Sequence, residues 1–104
     1  MTNETEIENE IQAKGLNAPR LTPADIDAAI FHEQFHVFHG TTFTVCLLTL
    51  HNGFQVSGES ACASPENFDA EIGRMIAREN ARNKVWQLEG YLLKQRLHQS
   101  SKQQ

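Results

Sequence analysis

The alternation of apolar and polar residues over residues 43–61 predicts a β-hairpin. Phe43 to Leu50 has the β-branched and apolar character of a strand, and Phe54 to Ala61 returns after Asn52-Gly53. An Asn-Gly pair between two such runs is a strong hairpin signal, because both residues of the two-residue turn must take positive φ. We therefore predict a tight hairpin at this position.

The length of the turn determines which residues share a face of the hairpin. A two-residue turn pairs Thr49 with Val56 and Leu47 with Gly58. The face predicted as core carries Phe43, Val45, Leu47, Phe54 and Val56. The other face carries Cys46, Leu48 and Leu50 against Gln55, Ser57 and Glu59. We expect the N-terminal helix or a partner to cover this second face, and a helix to pack closely over Gly58.

Two shorter elements are expected before the hairpin. Thr22 as N-cap and Pro23 in the first turn predict a short helix over about 22–32. The β-branched and aromatic residues that follow predict a strand over about 34–38. In residues 1–20, Ile7 and Ile11 are four apart and fit a short helix.

A long helix is expected after the hairpin, with Ser64 as N-cap and Pro65 at its first position. Apolar residues occur on two of its sides. One stripe, interrupted by polar residues, consists of Phe68, Ile72, Met75, Ile76, Glu79, Asn83, Trp86, Gly90, Leu93 and Leu97. The second consists of Ala77, Ala81, Val85, Leu88 and Leu92. A chain of 104 residues has little else to cover both sides, so we expect either a break near Gly90 or a second subunit.

These elements predict an α+β fold with a short N-terminal helix, a three-stranded antiparallel sheet and a long C-terminal helix packed on one face. Residues 1–20 are expected to be a flexible acidic segment, residues 21–98 a single domain and residues 99–104 a polar tail.

Composition and charge narrow the classes of function. The net charge of −4 disfavours binding to nucleic acid or to an anionic membrane surface. No apolar run approaches the ~20 residues of a membrane span, and the acidic N-terminus is unlike a signal peptide. We therefore expect a cytosolic protein. Cys46 and Cys62 lack the CxxC spacing of redox or metal sites and are expected to be free thiols.

Short strings of residues spread over positions 22–97 carry a resemblance to a known family. The residues that carry the resemblance are Gly40-Thr41-Thr42, Thr44-Val45-Cys46, Leu48-Thr49-Leu50, Asn52-Gly53-Phe54, Gly58-Glu59-Ser60-Ala61-Cys62, Ser64-Pro65-Glu66-Asn67-Phe68-Asp69, Glu71, Gly73, Ala77-Arg78-Glu79, Trp86 and Leu88-Glu89-Gly90-Tyr91-Leu92-Leu93. They are similar to the "gene 49 / gene 66" proteins of tailed phages and prophages. The resemblance implies a nonstructural phage protein that acts inside the infected cell, and it provides no catalytic or binding residues.

His32-Glu33-Gln34-Phe35-His36 matches the HExxH string of zinc hydrolases. On a helix its two histidines would bind zinc and its glutamate would activate water, with His39 as a third candidate ligand. The segment is instead predicted as a strand, on which the two histidines lie ~13 Å apart and cannot share an ion. Metal binding at His32, His36 and His39 is therefore a remote alternative, and no cofactor is expected.

A second candidate site is the junction between the hairpin and the last helix, where a helix N-terminus favours an anion. The expected ligand-binding residues are Ser60, Ser64, Asn67, Arg74 and Arg78. Arg82 continues the arginine series at a spacing of four residues and could help to clamp a phosphate. The alternative is an ordinary capped helix with a solvated arginine stripe.

The third candidate is a protein-binding or homodimer surface on the C-terminal helix, formed by Trp86, Leu88, Tyr91, Leu92, Leu93 and Leu97. Aromatic-rich patches commonly anchor partners, although core packing would also account for these residues. The leading hypothesis is a nonenzymatic phage accessory protein that binds a host protein, in host takeover or counter-defence. A small-anion or nucleotide-signal binding protein is the alternative.

Overall fold

Three helices and a three-stranded sheet make up the fold in the computed structural model, which describes residues 3–102. The elements are α1 (Glu4–Ala13), α2 (Pro23–Ala29), β1 (Ile30–Val37), β2 (Phe43–Leu50), β3 (Gln55–Ala61) and α3 (Ala70–Lys102), with a 3₁₀ turn at Pro65–Asn67. The sheet is antiparallel in the order β1-β2-β3, and α3 packs on one face of it. The predicted α+β fold is confirmed. Residues 1, 2, 103 and 104 of the predicted N-terminal segment and tail lie outside the described residues.

In the structure, the helix predicted over 22–32 is shorter than expected, and the strand that follows it is longer than expected. Thr22 forms a capping box with Asp25, whose N–H donates to Thr22 Oγ1 at 3.2 Å. The helix ends at Ala29 because the β-branched Ile30 already pairs with Leu50 of β2. The strand predicted over 34–38 therefore begins at Ile30.

The predicted two-residue turn of the hairpin is wrong, because the observed loop is one residue longer. The Gly53 N–H donates to the Leu50 carbonyl at 2.9 Å, and the Leu50 N–H donates to the Phe54 carbonyl at 2.8 Å. The loop therefore has three residues, and within it only Gly53 has a positive φ, of 89°. This loop shifts the register by one, so that Val56 faces Leu48 instead of Thr49.

The change of register places the buried residues of β3 on the opposite face of β2 from the one predicted. Thr44, Cys46, Leu48 and Leu50 are buried beneath α3, whereas Val45 and Leu47 point the other way and are only half-buried. The core consists of Ile26, Cys46, Leu48, Leu50, Val56, Ala77, Ala81 and Val85. Burial raises the pKa of the Cys46 thiol to about 11, so this free thiol is protonated at neutral pH.

The predicted start of the last helix is also corrected. Pro65 opens only the 3₁₀ turn, and no described backbone N–H donates to the side chain of its N-cap, Ser64. Asp69 caps α3 instead, because its Oδ1 accepts from the N–H groups of Glu71 at 2.9 Å and Ile72 at 3.1 Å. The chain thus turns twice between β3 and α3.

The last helix is unbroken from Ala70 to Lys102, so the expected break at Gly90 does not occur. Its small residues face the sheet, and Gly58 lies directly beneath them as predicted. A Cβ placed on Gly58 would overlap the backbone of Ala77 and Ala81. Within residues 3–102, no helix combines the length and the apolar character needed to cross a membrane.

Candidate protein-docking site

Arg82 lies at the centre of a polar network that joins the three helices. Its guanidinium donates to Asp27 Oδ1 at 2.9 Å and to the Pro23 carbonyl at 3.1 Å, both in α2. It also donates to Glu4 Oε2 of α1 at 2.5 Å. The side chain is 13% exposed, and hydrogen bonding to Glu4, then to Asp27, raises its pKa. The network places a permanently charged group between α1 and α2.

Trp86 lies one turn after Arg82 and adds a second donor to the same carboxylate. Its Nε1 donates to Glu4 Oε2 at 3.1 Å. The half-buried indole ring also packs against the core cluster, which restricts its orientation. Two adjacent turns of α3 therefore hold one carboxylate with a charged donor and a neutral donor.

Arg20 holds the next acidic residue on the same side of α1. Its two terminal nitrogens donate to the two carboxylate oxygens of Glu8, each at 2.7 Å. This bidentate contact, together with a hydrogen bond from Gln12, lowers the pKa of Glu8 to about 2. Helix α1 is thus attached by two carboxylates that lie one turn apart.

A groove with a volume of about 1160 Å³ runs between α1 and α3. Ile7 and Ile11 line its α1 side, and Met75 and Ile76 line its α3 side. No described residue of α1 is buried, and Ile7 is 48% exposed. The two helices therefore meet through polar contacts while their apolar residues remain largely uncovered.

The sequence pattern does not identify Glu4, Glu8 and Arg20 as site residues. The available signal is the spacing of the two acids with Ile7 and Ile11, which places charge and apolar surface on one side of a helix. The partners of Glu4 are Arg82 and Trp86 of α3, 78 and 82 residues away, and the partner of Glu8 is Arg20, 12 residues away. Local periodicity contains no information about such contacts.

The predicted anion-binding residues are not directed at one point. Arg78 donates to Glu33 of β1 at 2.6 Å, whereas Ser60 lies on β3, at the opposite edge of the sheet. Ser64 and Asn67 are exposed at the 3₁₀ turn, and Arg74 is exposed on α3.

The start of α3 is already occupied by a negative group. The Asp69 carboxylate accepts two N–H groups there, at 2.9 and 3.1 Å. An anion at this helix end would therefore meet a like charge and would have to replace the capping contacts.

Both histidines of the HExxH string lie on β1, because this strand begins at Ile30 and so includes His32, which the predicted strand over 34–38 leaves out. His32 pairs with Thr49 and His36 with Val45, and both side chains are exposed on the open face of the sheet. His39 follows the end of β1. In the part of the chain that the structure describes, no three His, Cys, Asp or Glu side chains come together as a group that could hold a metal ion.

The predicted partner surface of α3 divides into two sets. Leu88 and Trp86 pack against the core, and Leu93 is half-buried and lines a shallow pocket between α2 and α3. Tyr91, Leu92 and Leu97 are 70%, 44% and 40% exposed. This second set belongs to the last turns of α3.

Comparison with known proteins places the chain in a family. A family model described as "Phage protein (N4 Gp49/phage Sf6 gene 66) family" matches residues 21–97. The chain belongs to this phage protein family, as the resemblance indicated. Comparisons with curated proteins and with solved structures find no match.

The family match covers α2, the sheet and most of α3, and it ends at Leu97. Arg82, Trp86 and the exposed Tyr91 therefore lie in the part of the chain that the Gp49/gene 66 family model matches. Helix α1, which supplies Glu4 and Glu8, lies before it. This family member thus combines a matched α+β unit with an acidic helix bound to its surface.

Proposed function

We propose that this Gp49/gene 66 family member is a nonenzymatic phage accessory protein that acts in the host cytoplasm. It binds a host protein and so assists host takeover or counters a defence system. Membership of a phage protein family supports the phage context. The observation that carries the binding role is the exposure of apolar side chains on the last turns of α3.

Tyr91, Leu92 and Leu97 are the side chains on which this role rests. They lie beyond Val85, the last fully buried residue of α3, and their exposed fractions are 40% or more. Tyr91 presents an apolar ring with a polar end, which is typical of interface anchors, and Leu92 and Leu97 add exposed apolar side chains to the same part of α3. Folding of the sheet does not require these side chains to be apolar.

The alternative zinc hydrolase has little structural support. Its histidines His32 and His36 lie along β1 rather than on successive turns of a helix. The alternative anion site is also weakly supported, because Arg78 and Arg82 are already paired with carboxylates. The proposed role in protein binding depends instead on Tyr91, Leu92 and Leu97, which remain exposed.

Affinity capture from infected cells tests the proposal. We compare the tagged full chain with the double variant Tyr91→Ser/Leu97→Ser and with the control Lys94→Ser/Gln95→Ser, which alters exposed polar residues on the same turns. We expect one host protein to be enriched by the native chain and the control, and to fall by about tenfold or more with the apolar double variant. Equal enrichment by all three chains, or none above a tag-only sample, would contradict the proposal.

A second copy of the chain, rather than a host protein, is the competing partner for the exposed side chains of Tyr91, Leu92 and Leu97. Sedimentation velocity of the native chain and of the Tyr91→Ser/Leu97→Ser variant distinguishes it from a host protein. A native dimer that the double variant converts to monomer would assign this surface to self-association instead.

A further inference from the structure

Helix α1 is attached to the rest of the molecule mainly by charge. Glu4 accepts from Arg82 at 2.5 Å and from Trp86 at 3.1 Å, and Glu8 accepts twice from Arg20 at 2.7 Å. None of its described residues is buried. A segment attached in this way can be displaced without opening the core, since the core residues belong to α2, the sheet and α3.

Two of the three groups that receive α1, Arg82 and Trp86, are positioned independently of it, whereas the hydrogen bonds of Arg20 are made to Glu8 of α1 itself. Arg82 is oriented by Asp27 and by the carbonyl of Pro23, both in α2, and Trp86 is held by packing against the core. All four residues lie in the segment that the family model matches, whereas Glu4 and Glu8 lie before it. The part of the receiving surface formed by Arg82 and Trp86 is therefore preorganised, which lowers the entropic cost of binding a helix there.

The contacts of α1 also show what the surface recognises. Two glutamates four residues apart meet Arg82 and Arg20, and two isoleucines at positions 7 and 11 face the groove. On the α3 side, Met75 and Ile76 are 64% and 44% exposed. A helix with longer apolar side chains than α1 could fill this groove while keeping both carboxylate contacts.

We propose that this surface, formed by Arg20, Arg82, Trp86 and the apolar side of the groove, is a docking site for an acidic amphipathic helix of a partner protein. In the free protein α1 occupies the site, and the partner helix displaces it. The inference goes beyond the proposed function, because it assigns a second surface and the chemistry of its occupant. Charge complementarity and the binding of α1 itself identify that chemistry.

Because α1 occupies the site, a partner helix must bind more strongly than α1 does in order to displace it. A segment joined by a short linker has an effective concentration on the order of 1 mM at its own site. A free helix with the same contacts therefore competes poorly with α1. Weakening the carboxylate contacts of α1 should make the site available to a helix supplied separately.

The first experiment measures the release of α1 in the full chain. Trp86 is the single tryptophan, so its fluorescence reports on this site alone. We expect Glu4→Gln/Glu8→Gln to shift the emission maximum of Trp86 to longer wavelength, because the indole loses its carboxylate partner and becomes more hydrated. The control Glu6→Gln/Glu10→Gln removes the same charge from exposed positions on α1 and should leave the emission unchanged. Equal spectra for the two double variants would overturn the proposal.

The second experiment supplies the helix separately. A fluorescein-labelled peptide of residues 1–16 is titrated into the native chain and into the Glu4→Gln/Glu8→Gln chain, and binding is followed by anisotropy. We expect the peptide to bind the variant chain at least about tenfold more tightly than the native chain, since its internal competitor is weakened. The peptide carrying Glu4→Gln/Glu8→Gln should lose at least about tenfold in affinity for that chain, whereas the peptide carrying Glu6→Gln/Glu10→Gln should retain it.

Two results of the titration would overturn the proposal. One is the absence of peptide binding to the variant chain at about 1 mM peptide. The other is equal binding of the native peptide and the peptide that lacks both carboxylates. Because the titration uses purified components only, its failure is distinguishable from a failure to capture a host protein through Tyr91 and Leu97.

Discussion

Gly58 is the residue on which the packing of α3 against the sheet depends most directly. It lies on β3 opposite Cys46, and the backbone of α3 at Ala77 and Ala81 crosses directly above it. Any side chain here would separate the helix from the sheet. Gly90 differs, because the nearest atom to an added Cβ there is Leu21 Cδ1 at 4.0 Å.

Two alanine substitutions at these glycines should have opposite effects on stability. We expect Gly58→Ala to lower the free energy of unfolding by about 3 kcal/mol, since overpacking forces backbone to move. Gly90→Ala should raise it by about 0.5–1 kcal/mol, because alanine is the better helix former and the site has room. Urea unfolding of both variants checks the pair. A neutral Gly58→Ala would show that α3 does not pack closely on β3.

Among the elements, α1 depends most on ionised side chains for its attachment, because none of its described residues is buried. The pair formed by Glu8 and Arg20 is the best defined part of it, with two contacts of 2.7 Å. Since the folded pKa of Glu8 is about 2 and lies below its ordinary value of 4.5, ionisation of this group stabilises the attached helix. That contribution is fully present above about pH 4.5 and is lost as the pH falls through about 2.

The pH dependence of this contact can be measured by titrating the carboxyl group of Glu8 itself. We expect the side-chain carboxyl carbon of Glu8 to titrate by NMR with a midpoint near 2 in the native chain. In an Arg20→Met variant the midpoint should rise toward 4.5, because the bidentate donor is lost. The same midpoint in both chains would show that Arg20 does not hold α1.

On the scale of the whole molecule, the long helix gives an extended shape. The radius of gyration is 17.0 Å, whereas a compact chain of this length has about 13 Å. The core is confined to one side of the sheet and to the part of α3 that ends near Val85. The open sheet face and the last turns of α3 therefore lie outside the region that stabilises the fold.

Measurements of the free energy of unfolding should show where along α3 the core ends. Leu48→Ala, in the core, is expected to cost about 2–5 kcal/mol in the free energy of unfolding. Tyr91→Ser and Leu97→Ser should each change it by no more than about 0.5 kcal/mol, because their side chains are exposed. A large loss for either serine variant would indicate that the last turns belong to the core, and it would weaken the proposed binding role.

The sequence alone is sufficient to predict the elements and the fold class. The capping residues Thr22 and Asp25, the alternation along β2 and the apolar spacing in α3 act within a few residues, so local patterns contain them. The close approach over Gly58 is also predictable, because a glycine inside a strand often marks a place where another backbone comes near.

The tertiary structure alone decides which faces are buried and what the surface holds. A loop of three residues rather than two moves Val56 opposite Leu48, so that Leu48 rather than Val45 or Leu47 shares its buried face. The sequence of the turn is compatible with either length. The binding of Glu4 by Arg82 and Trp86 joins residues about 80 positions apart, which no local period can encode. The two isoleucines are enough to predict helix α1, but its place on the surface depends on Arg82 and Trp86, which only folding brings close to it.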